Sequence, residues 1–491
     1  MTPRTLAWIA QATGGQLHGA YADQHVDAVA IDTRVLRPHP NPPPLAGEGG
    51  ERIAQAGGGT LFVALKGENS DGHEHVAAAA AGGCIAALVS RCVDVDLPQV
   101  LVADTERALA AIAAAMQRER VTKILAITGS NGKTSVKSML LPILERCGKA
   151  YANPGNRNNE IGLPLAVIDA PEDADFAIYE MGAGKPGDIA YLTAIARPDV
   201  ALVNNIAPAH LERLGSLLGV ADTKAAIYDA LPGHVDERPG VAVVNADDAF
   251  APYFIERAAG RRVLRFGLDA SAEISARDVQ LDSDRTRFML VAPDGEVAIT
   301  LSMPGRHNLR NALAAASMAL AVGASLQEVC DGLDAVQPVA GRQVSHRLRS
   351  GAVLIDDSYN ANPGSLDAAI ESLAAATSAK DGNEAWLVLG DMRELGADEM
   401  ALHLQAGQRA KAAGIAHLYA LGPLSAAAVQ GFGDGARHFD SHAELADALI
   451  AGLGAGMRVL VKGSRGSAMD RIVKQLLQHD AANEKGEVDA A

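Results

Sequence analysis

Long apolar runs are missing from this sequence. The N-terminal segment, MTPRTLAWIAQATGG, carries polar residues every few positions and lacks the uninterrupted apolar stretch of a secretory leader. The strongest apolar run, Val76 to Val89, is Ala-rich and broken by Gly82 and Gly83, so it reads as a helix, a turn and a strand, not as a membrane span. Cysteine is scarce too. Cys84, Cys92, Cys147 and Cys330 form no CxxC pair and no zinc-like spacing, which points to four reduced structural thiols and a cytoplasmic protein. Aromatic residues are only 4% of the chain, so helices and sheets must pack through small and aliphatic side chains. Positive charge is in deficit: 43 Lys plus Arg stand against 59 Asp plus Glu, a formal charge of −16 at pH 7. That balance argues against broad electrostatic capture of nucleic acid or of an acidic membrane, so any anionic substrate must be held by a local site.

What is present is a rhythm. From Lys123 onward short apolar runs alternate with helical patterns, as in a parallel sheet wound with helices. KILAIT, DFAIYE, DVALVN and GVAVVN read as strands, and Asn308 to Val322 as a helix. After Ala340-Gly341-Arg342 a second series begins with AVLIDD, AWLVLGD, HLYALG and RVLVKGS. The 491 residues therefore read as an α/β protein of about three domains: a small mixed α/β part over 1–103, a central parallel-sheet part over 104–339 and a Rossmann-like α/β part over 340–491. Pro38 to Gly59 is dominated by Pro and Gly and reads as a disordered surface insertion, with a polyproline docking segment as the minor alternative. The final AANEKGEVDAA reads as a solvated tail.

The strongest chemical signal is the run from Ile124 to Thr134, a strand that feeds Gly129-Ser130-Asn131-Gly132-Lys133-Thr134-Ser135. Small residues let backbone N–H groups wrap a phosphate, and a helix N-terminus adds positive potential. Lys133 can reach the β/γ-phosphates and the Thr134 hydroxyl can ligate Mg²⁺, as in a phosphate-binding loop, although Ile127 replaces that motif's first Gly. The bland alternative is an ordinary strand-turn-helix. A second pattern, Gly182-Ala183-Gly184-Lys185-Pro186-Gly187, formally matches a dinucleotide fingerprint. The next strand ends in Asn204 and Asn205, not in the acidic residue such a site needs, so this segment reads as a loop.

Glu180 ends the strand DFAIYE, and the next strand leads into Asn205 and His210; in an open α/β sheet such positions face one crevice. A carboxylate and an imidazole near a triphosphate are plausible Mg²⁺ ligands, with the His weak on its own. Lys224 sits on the helical pattern GVADTKAAIYDAL, where a lone Lys is ordinarily solvated.

Taken together, Asp32-Thr33-Arg34, LFVALKGENSDGH, TGSNGKTS, NPGNRNNEIGLP, YEMGA, NNIAPAHLERLGS, GRHNLRNALAA, AGR, DDSYNANPGS, LGDMRELG and VKGSR resemble the Mur ligase family over nearly the whole chain. DDSYNANPGS with LGDMRELG is similar to the type that adds D-alanyl-D-alanine. The resemblance implies that Lys133 and Thr134 belong to an ATP-binding loop, that Glu180 coordinates Mg²⁺ and that His210 serves a second Mg²⁺. It makes Lys224 an N-carboxylated lysine, a CO₂-derived carbamate that supplies oxygen ligands, although Ala225-Ala226 replace the Gly-Glu that often follows. It assigns Asn308 to adenine, Arg342 to the nucleotide phosphates and Asp357 to the ribose. Asp32, Thr33, Arg34 and Lys66 fall to recognition of the UDP end, and Asn158, Asn159, Asn360, Asn362, Lys462 and Arg465 to the substrates. Asn362 has a second reading as a helix N-cap before Pro363.

The implied chemistry is ATP-driven amide formation between UDP-N-acetylmuramoyl-tripeptide and D-alanyl-D-alanine through an acyl phosphate, by a cytoplasmic monomer with no nucleic-acid partner and no integral membrane segment. Two rivals stand beside it. One is a related ligase, adding a single amino acid or extending a folate, and the other is a nucleotide-dependent switch module. No residue reads convincingly as the general base for the incoming amine.

Overall fold

Short Val- and Ala-rich segments build four sheets in this α/β protein. The computed structural model describes them over residues 1–19, 21–36, 59–67, 70–233, 239–282, 284–377 and 383–488. The insertion expected at Pro38 to Gly59 lies outside the described residues except for its last residue, which the structure reassigns. Gly59 opens a strand, at a position where a Cβ would stand 2.6 Å from the Ile85 side chain.

By compactness the chain divides into one unit of residues 1–126, 148–182 and 188–199 and a second of 127–147, 183–187 and 200–491. The first opens with a mixed sheet of β1 (Arg4–Thr5), β2 (Gln16–His18), β3 (His25–Ala30), β4 (Gly59–Val63), β5 (Cys84–Val89) and β6 (Gln99–Leu101), in the order β1-β3-β4-β5-β6-β2. Its apolar face packs Ala30, Phe62, Val76, Ala79, Ala87 and Val89. The run Val76 to Val89 is the expected helix (Val76–Ala81), turn and strand.

KILAIT forms β7 (Lys123–Thr128), which carries the chain from the first unit into the second. In the first unit β8 (Ala150–Ala152) and β9 (Phe176–Glu180) pair in parallel, Tyr151 opposite Ala177. In the second unit β10 (Val200–Val203), β11 (Val241–Asn245) and β12 (Arg262–Phe266) are also parallel, with Val200 opposite Val241 and Val241 opposite Arg262. Every residue of β9, β10 and β11 is buried, which is why these strands read as unbroken apolar runs and not as alternating ones. An antiparallel sheet follows, of β13 (Ser275–Leu281), β14 (Thr286–Ala292) and β15 (Gly295–Leu301).

The last sheet contains β16 (Val344–Arg347), β17 (Val353–Asp357), β18 (Glu384–Gly390), β19 (His417–Leu421), β20 (Ala436–Phe439) and β21 (Met457–Lys462), in the order β16-β17-β21-β18-β19-β20. Only β16 is antiparallel. Helices cover both faces. Leu366, Ile370, Leu387 and Leu418 fill one interface, and Trp386, Val388, Leu449 and Ile472 the other. In such a sheet ligands lie at the carboxyl ends of the strands, and there Asp357 and Lys462 end β17 and β21 directly opposite each other.

Two expectations are corrected. The helix Asp470–Val488 runs through most of the expected tail, since Ala, Glu and Lys are good helix formers once an apolar stripe has docked the helix. All four cysteines are free, but Cys92 is exposed and belongs to no core, whereas Cys84 is buried. Among the described residues no helix is long and apolar enough to cross a membrane.

Candidate functional site

The glycine-rich loop, read from the sequence as a phosphate loop, lies between Thr128, the last residue of β7, and the helix Lys133–Cys147. Gly132 has φ +78°, and a Cβ on it would come within 2.5 Å of Asn204 Nδ2 and closer still to Asn311 Oδ1, so only glycine fits. A ring of amides staples the loop. The Asn131 N–H donates to Asn205 Oδ1 at 2.8 Å, and Asn204 Nδ2 and Asn205 Nδ2 donate to the Asn131 carbonyl at 3.0 and 3.1 Å. Ser130 N–H donates to the Asn205 carbonyl at 2.9 Å, and its hydroxyl donates to the Ala207 carbonyl at 3.0 Å. Lys133 curls back so that its Nζ donates to the Gly129 carbonyl at 2.7 Å. Ser135 is buried in the first turn of the helix.

Residues far along the chain reach this loop. Arg342 Nη2 donates to Thr134 Oγ1 at 2.9 Å, and the same guanidinium lies 4.4 Å above the Tyr359 ring. Arg465 approaches that ring at 5.4 Å, so Tyr359 is within cation–π reach of two arginines. Asn362 Nδ2 donates to Asn131 Oδ1 at 2.7 Å, while its Oδ1 accepts the Ser365 N–H at 2.9 Å and caps the helix Pro363–Ala375. The N-cap reading of Asn362 is therefore the one the structure shows, with the other end of the amide on the glycine-rich loop. Lys462 Nζ donates to Asp357 Oδ2 at 2.6 Å and to the Asn360 carbonyl at 3.0 Å. Burial pushes the Asp357 carboxyl up from its ordinary value, against the opposing pull of Lys462 and Arg342. Asn360 itself is exposed. Asn308 is buried in the first turn of the helix Arg306–Ala321, its Nδ2 donating to the Pro304 carbonyl at 2.8 Å.

Lys224 departs most from its ordinary reading. It is 2% exposed, because Val220, Ala221, Ile227 and Tyr228 place it in the middle of the buried stripe of the helix Leu217–Asp229. One turn on, the Tyr228 hydroxyl donates to the Val243 carbonyl of β11 at 2.8 Å and accepts the Val203 N–H of β10 at 3.0 Å, which pins that face to the sheet. His210 precedes the short helix Leu211–Leu214 and has φ +53°. Partial burial pushes its imidazole below the ordinary histidine value; Glu394 opposes this, and the charges of Lys224 and Lys133 reinforce it. His210, Lys224 and Lys133 thus share one electrostatic neighbourhood.

In the first unit Glu180 ends β9 with its side chain held by Asn158, whose Nδ2 donates to Oε1 at 2.9 Å. Asn159 makes a local turn, its Oδ1 accepting the Gly162 N–H at 2.8 Å. Asp32 caps the turn Thr33–Val35 and pairs with Arg34, whose guanidinium holds the carboxyl well below the usual carboxylate range. Lys66 forms an isolated antiparallel β-bridge, through its backbone, with Asp71. Gly182 to Gly187 is a loop. Among the described residues, no three His, Cys, Asp or Glu side chains gather as a ready metal cage.

Sequence reasoning missed Tyr359, Glu394 and Asn311. The first two lie inside DDSYNANPGS and LGDMRELG, and Asn311 inside GRHNLRNALAA, so motif membership was the available signal. Within LGDMRELG, Asp391 is structural: it is buried and accepts the Leu424 N–H, the Ser425 N–H and the Ser425 hydroxyl.

Residues 127–319 match the Mur ligase middle domain, and residues 341–465 match the Mur ligase, glutamate ligase domain. The chain belongs to the Mur ligase family. It is 40% identical to the UDP-N-acetylmuramoyl-tripeptide–D-alanyl-D-alanine ligase of Escherichia coli (strain K12) over 477 residues, 97% of this chain and 98% of that one. The enzyme of the same name from Mycobacterium tuberculosis (strain H37Rv) is 36% identical over 468 residues, 86% and 91% of the two chains. Among solved Mur ligases, the crystal structure of MurF from Acinetobacter baumannii superposes with a TM-score of 0.87 at 30% identity, covering 97% of this chain and 99% of that one. MurF from Thermotoga maritima in complex with ADP gives 0.79 at 25% identity, covering 93% and 98%.

Proposed function

We infer that this chain is an ATP-dependent ligase that joins D-alanyl-D-alanine to UDP-N-acetylmuramoyl-tripeptide, forming an amide bond in peptidoglycan precursor synthesis. The observation that carries this reading is the join between the phosphate loop and DDSYNANPGS, made by Asn362 on Asn131 and supported by Arg342 on Thr134. The full-length relatives named above share the activity in their names.

In the proposed reaction an oxygen of the tripeptide's terminal carboxylate attacks the γ-phosphorus of ATP, the bond to the bridging oxygen breaks, and ADP leaves. The amine of D-alanyl-D-alanine then attacks the acyl carbon, phosphate departs with the C–O bond electrons, and the amine loses a proton. A carboxylate approaching a polyanion is repelled, so cationic groups must carry the developing charge. Lys133 and Arg342 are the chain's own cations at the loop, and Arg342 is oriented by Thr134 Oγ1 and the Tyr359 ring. Asn308, Arg342 and Asp357 take the adenine, phosphate and ribose roles. Asp32, Thr33, Arg34 and Lys66 take the UDP end, and Asn158, Asn159, Asn360, Asn362, Lys462 and Arg465 the substrate side.

A buried Lys224 suits the carbamate reading, because carboxylation gives that side chain oxygen donors for a hard cation. Thr134, Glu180, His210 and the Lys224 carbamate are the groups assigned to hold Mg²⁺, which when bound neutralises phosphate charge and polarises the transferring group. A three-part division of labour over 1–103, 104–339 and 340–491, a monomeric state and a cytoplasmic location complete the reading.

The test is phosphate release with ATP, Mg²⁺ and UDP-N-acetylmuramoyl-tripeptide, with and without D-alanyl-D-alanine, together with mass detection of the pentapeptide. Release that needs both substrates and yields the product mass supports the ligase. Release indifferent to D-alanyl-D-alanine overturns the substrate assignment.

A further inference from the structure

His210 and Glu394 lie 184 positions apart, yet His210 Nδ1 and Glu394 Oε2 are 2.5 Å apart. Glu394 accepts, so the imidazole carries its proton on Nδ1. Both residues hold a backbone conformation that non-glycine residues rarely adopt, φ +53° for His210 and +64° for Glu394. Their segments also touch next door, where a Cβ on Gly396 would make an ordinary van der Waals contact with the Glu212 backbone at 3.4 Å. Two uncommon backbone conformations therefore flank one side-chain contact. The contact is not a buried structural pair, since the His210 and Glu394 side chains remain 39% and 54% exposed. Exposed pairs of this kind contribute little to stability, so stability does not explain the arrangement.

We propose that Glu394 is a positioning residue for the ligase reaction, fixing the His210 ring in the Nδ1–H tautomer so that Nε2 presents its lone pair to the reaction centre. This rests on the reading of His210 as a reaction-centre residue and adds what orients it. A ring nitrogen that must meet a cation or a substrate is useful only as a lone pair aimed in a fixed direction, and an acceptor on the other nitrogen supplies both conditions. Glu394 comes from LGDMRELG, the segment whose Asp391 is buried and holds the Leu424 and Ser425 N–H groups.

The experiment is long-range ¹H–¹⁵N NMR on metal-free, nucleotide-free full-length protein labelled at histidine, with the His210 signal identified by its loss in His210→Asn. The wild type is expected to show the Nδ1–H tautomer, and finding Nε2–H there overturns the proposal without any variant. Glu394→Ala is expected to lose that tautomer and to lower kcat on the order of 10–100-fold with little change in the KM for ATP. Glu394→Gln keeps an acceptor oxygen and is expected to retain the tautomer and most of kcat. An unchanged tautomer in Glu394→Ala also overturns the proposal. Full activity in His210→Asn instead overturns the reading of His210, whatever Glu394 does.

Discussion

Asn362 caps a helix with one end of its amide and holds the phosphate loop with the other: Oδ1 takes the Ser365 N–H at 2.9 Å, and Nδ2 reaches Asn131 Oδ1 at 2.7 Å. The two functions separate by substitution. Asn362→Asp keeps an N-cap acceptor but places a carboxylate against Asn131 Oδ1, so stability should hold while the KM for ATP rises. Asn362→Ala should lose both, with a stability cost of about 1 kcal/mol from the cap alone. Urea unfolding and steady-state phosphate release distinguish the two variants.

Lys224 tests a buried position. Lys224→Met removes the amine from a buried interaction, so ligation should be lost and stability should fall. Chemical denaturation and pentapeptide formation are the paired measurements. Under the carbamate reading, wild-type turnover should also fall in CO₂-depleted buffer and return on adding bicarbonate.

Gly132→Ala tests the loop itself. At φ +78°, with Asn204 Nδ2 within 2.5 Å of the added methyl group, the loop must shift. A displacement there costs a substantial share of phosphate contact, so titration calorimetry should show ADP affinity reduced by about tenfold or more, roughly 1.4 kcal/mol.

His307 predicts a pH dependence of folding. Burial pushes its imidazole down to about 4, with Lys462 adding to the effect and a hydrogen bond with Gln343 opposing it. The unfolded chain therefore binds a proton more readily than the folded one between about pH 6.5 and 4. Stability should rise with pH across that window, being reduced below the folded value and fully present above the unfolded one. Urea midpoints measured through the window should show this slope, and His307→Gln should flatten it.

Much of this was legible. Strands buried on both faces announce themselves as apolar runs, and β7, β9, β10 and β11 fall where such runs stand. The glycine-rich turn after β7 was legible because Gly129 and Gly132 adopt positive φ where the strand hands over to the helix. Lys224 was misread by residue type, although the stripe formed by Val220, Ala221, Ile227 and Tyr228 runs through its position. The guanidinium approach to Tyr359 and the Glu394 contact with His210 have no local signature, since each joins segments that only tertiary folding brings together. The C-terminal helix was missed because polar helix formers look like a tail until an apolar stripe docks them.

The reach of the phosphate loop's contacts also sets a timetable. Thr134 meets its partner 208 residues later in the chain, and Asn131 meets Asn362 after 231. At about 5–20 residues per second of synthesis, the loop leaves the ribosome roughly 10–50 s before the groups that hold it. A nascent chain has made the ATP motif early but acquires its full set of supports late. A product truncated before Arg342 would carry the motif without those supports.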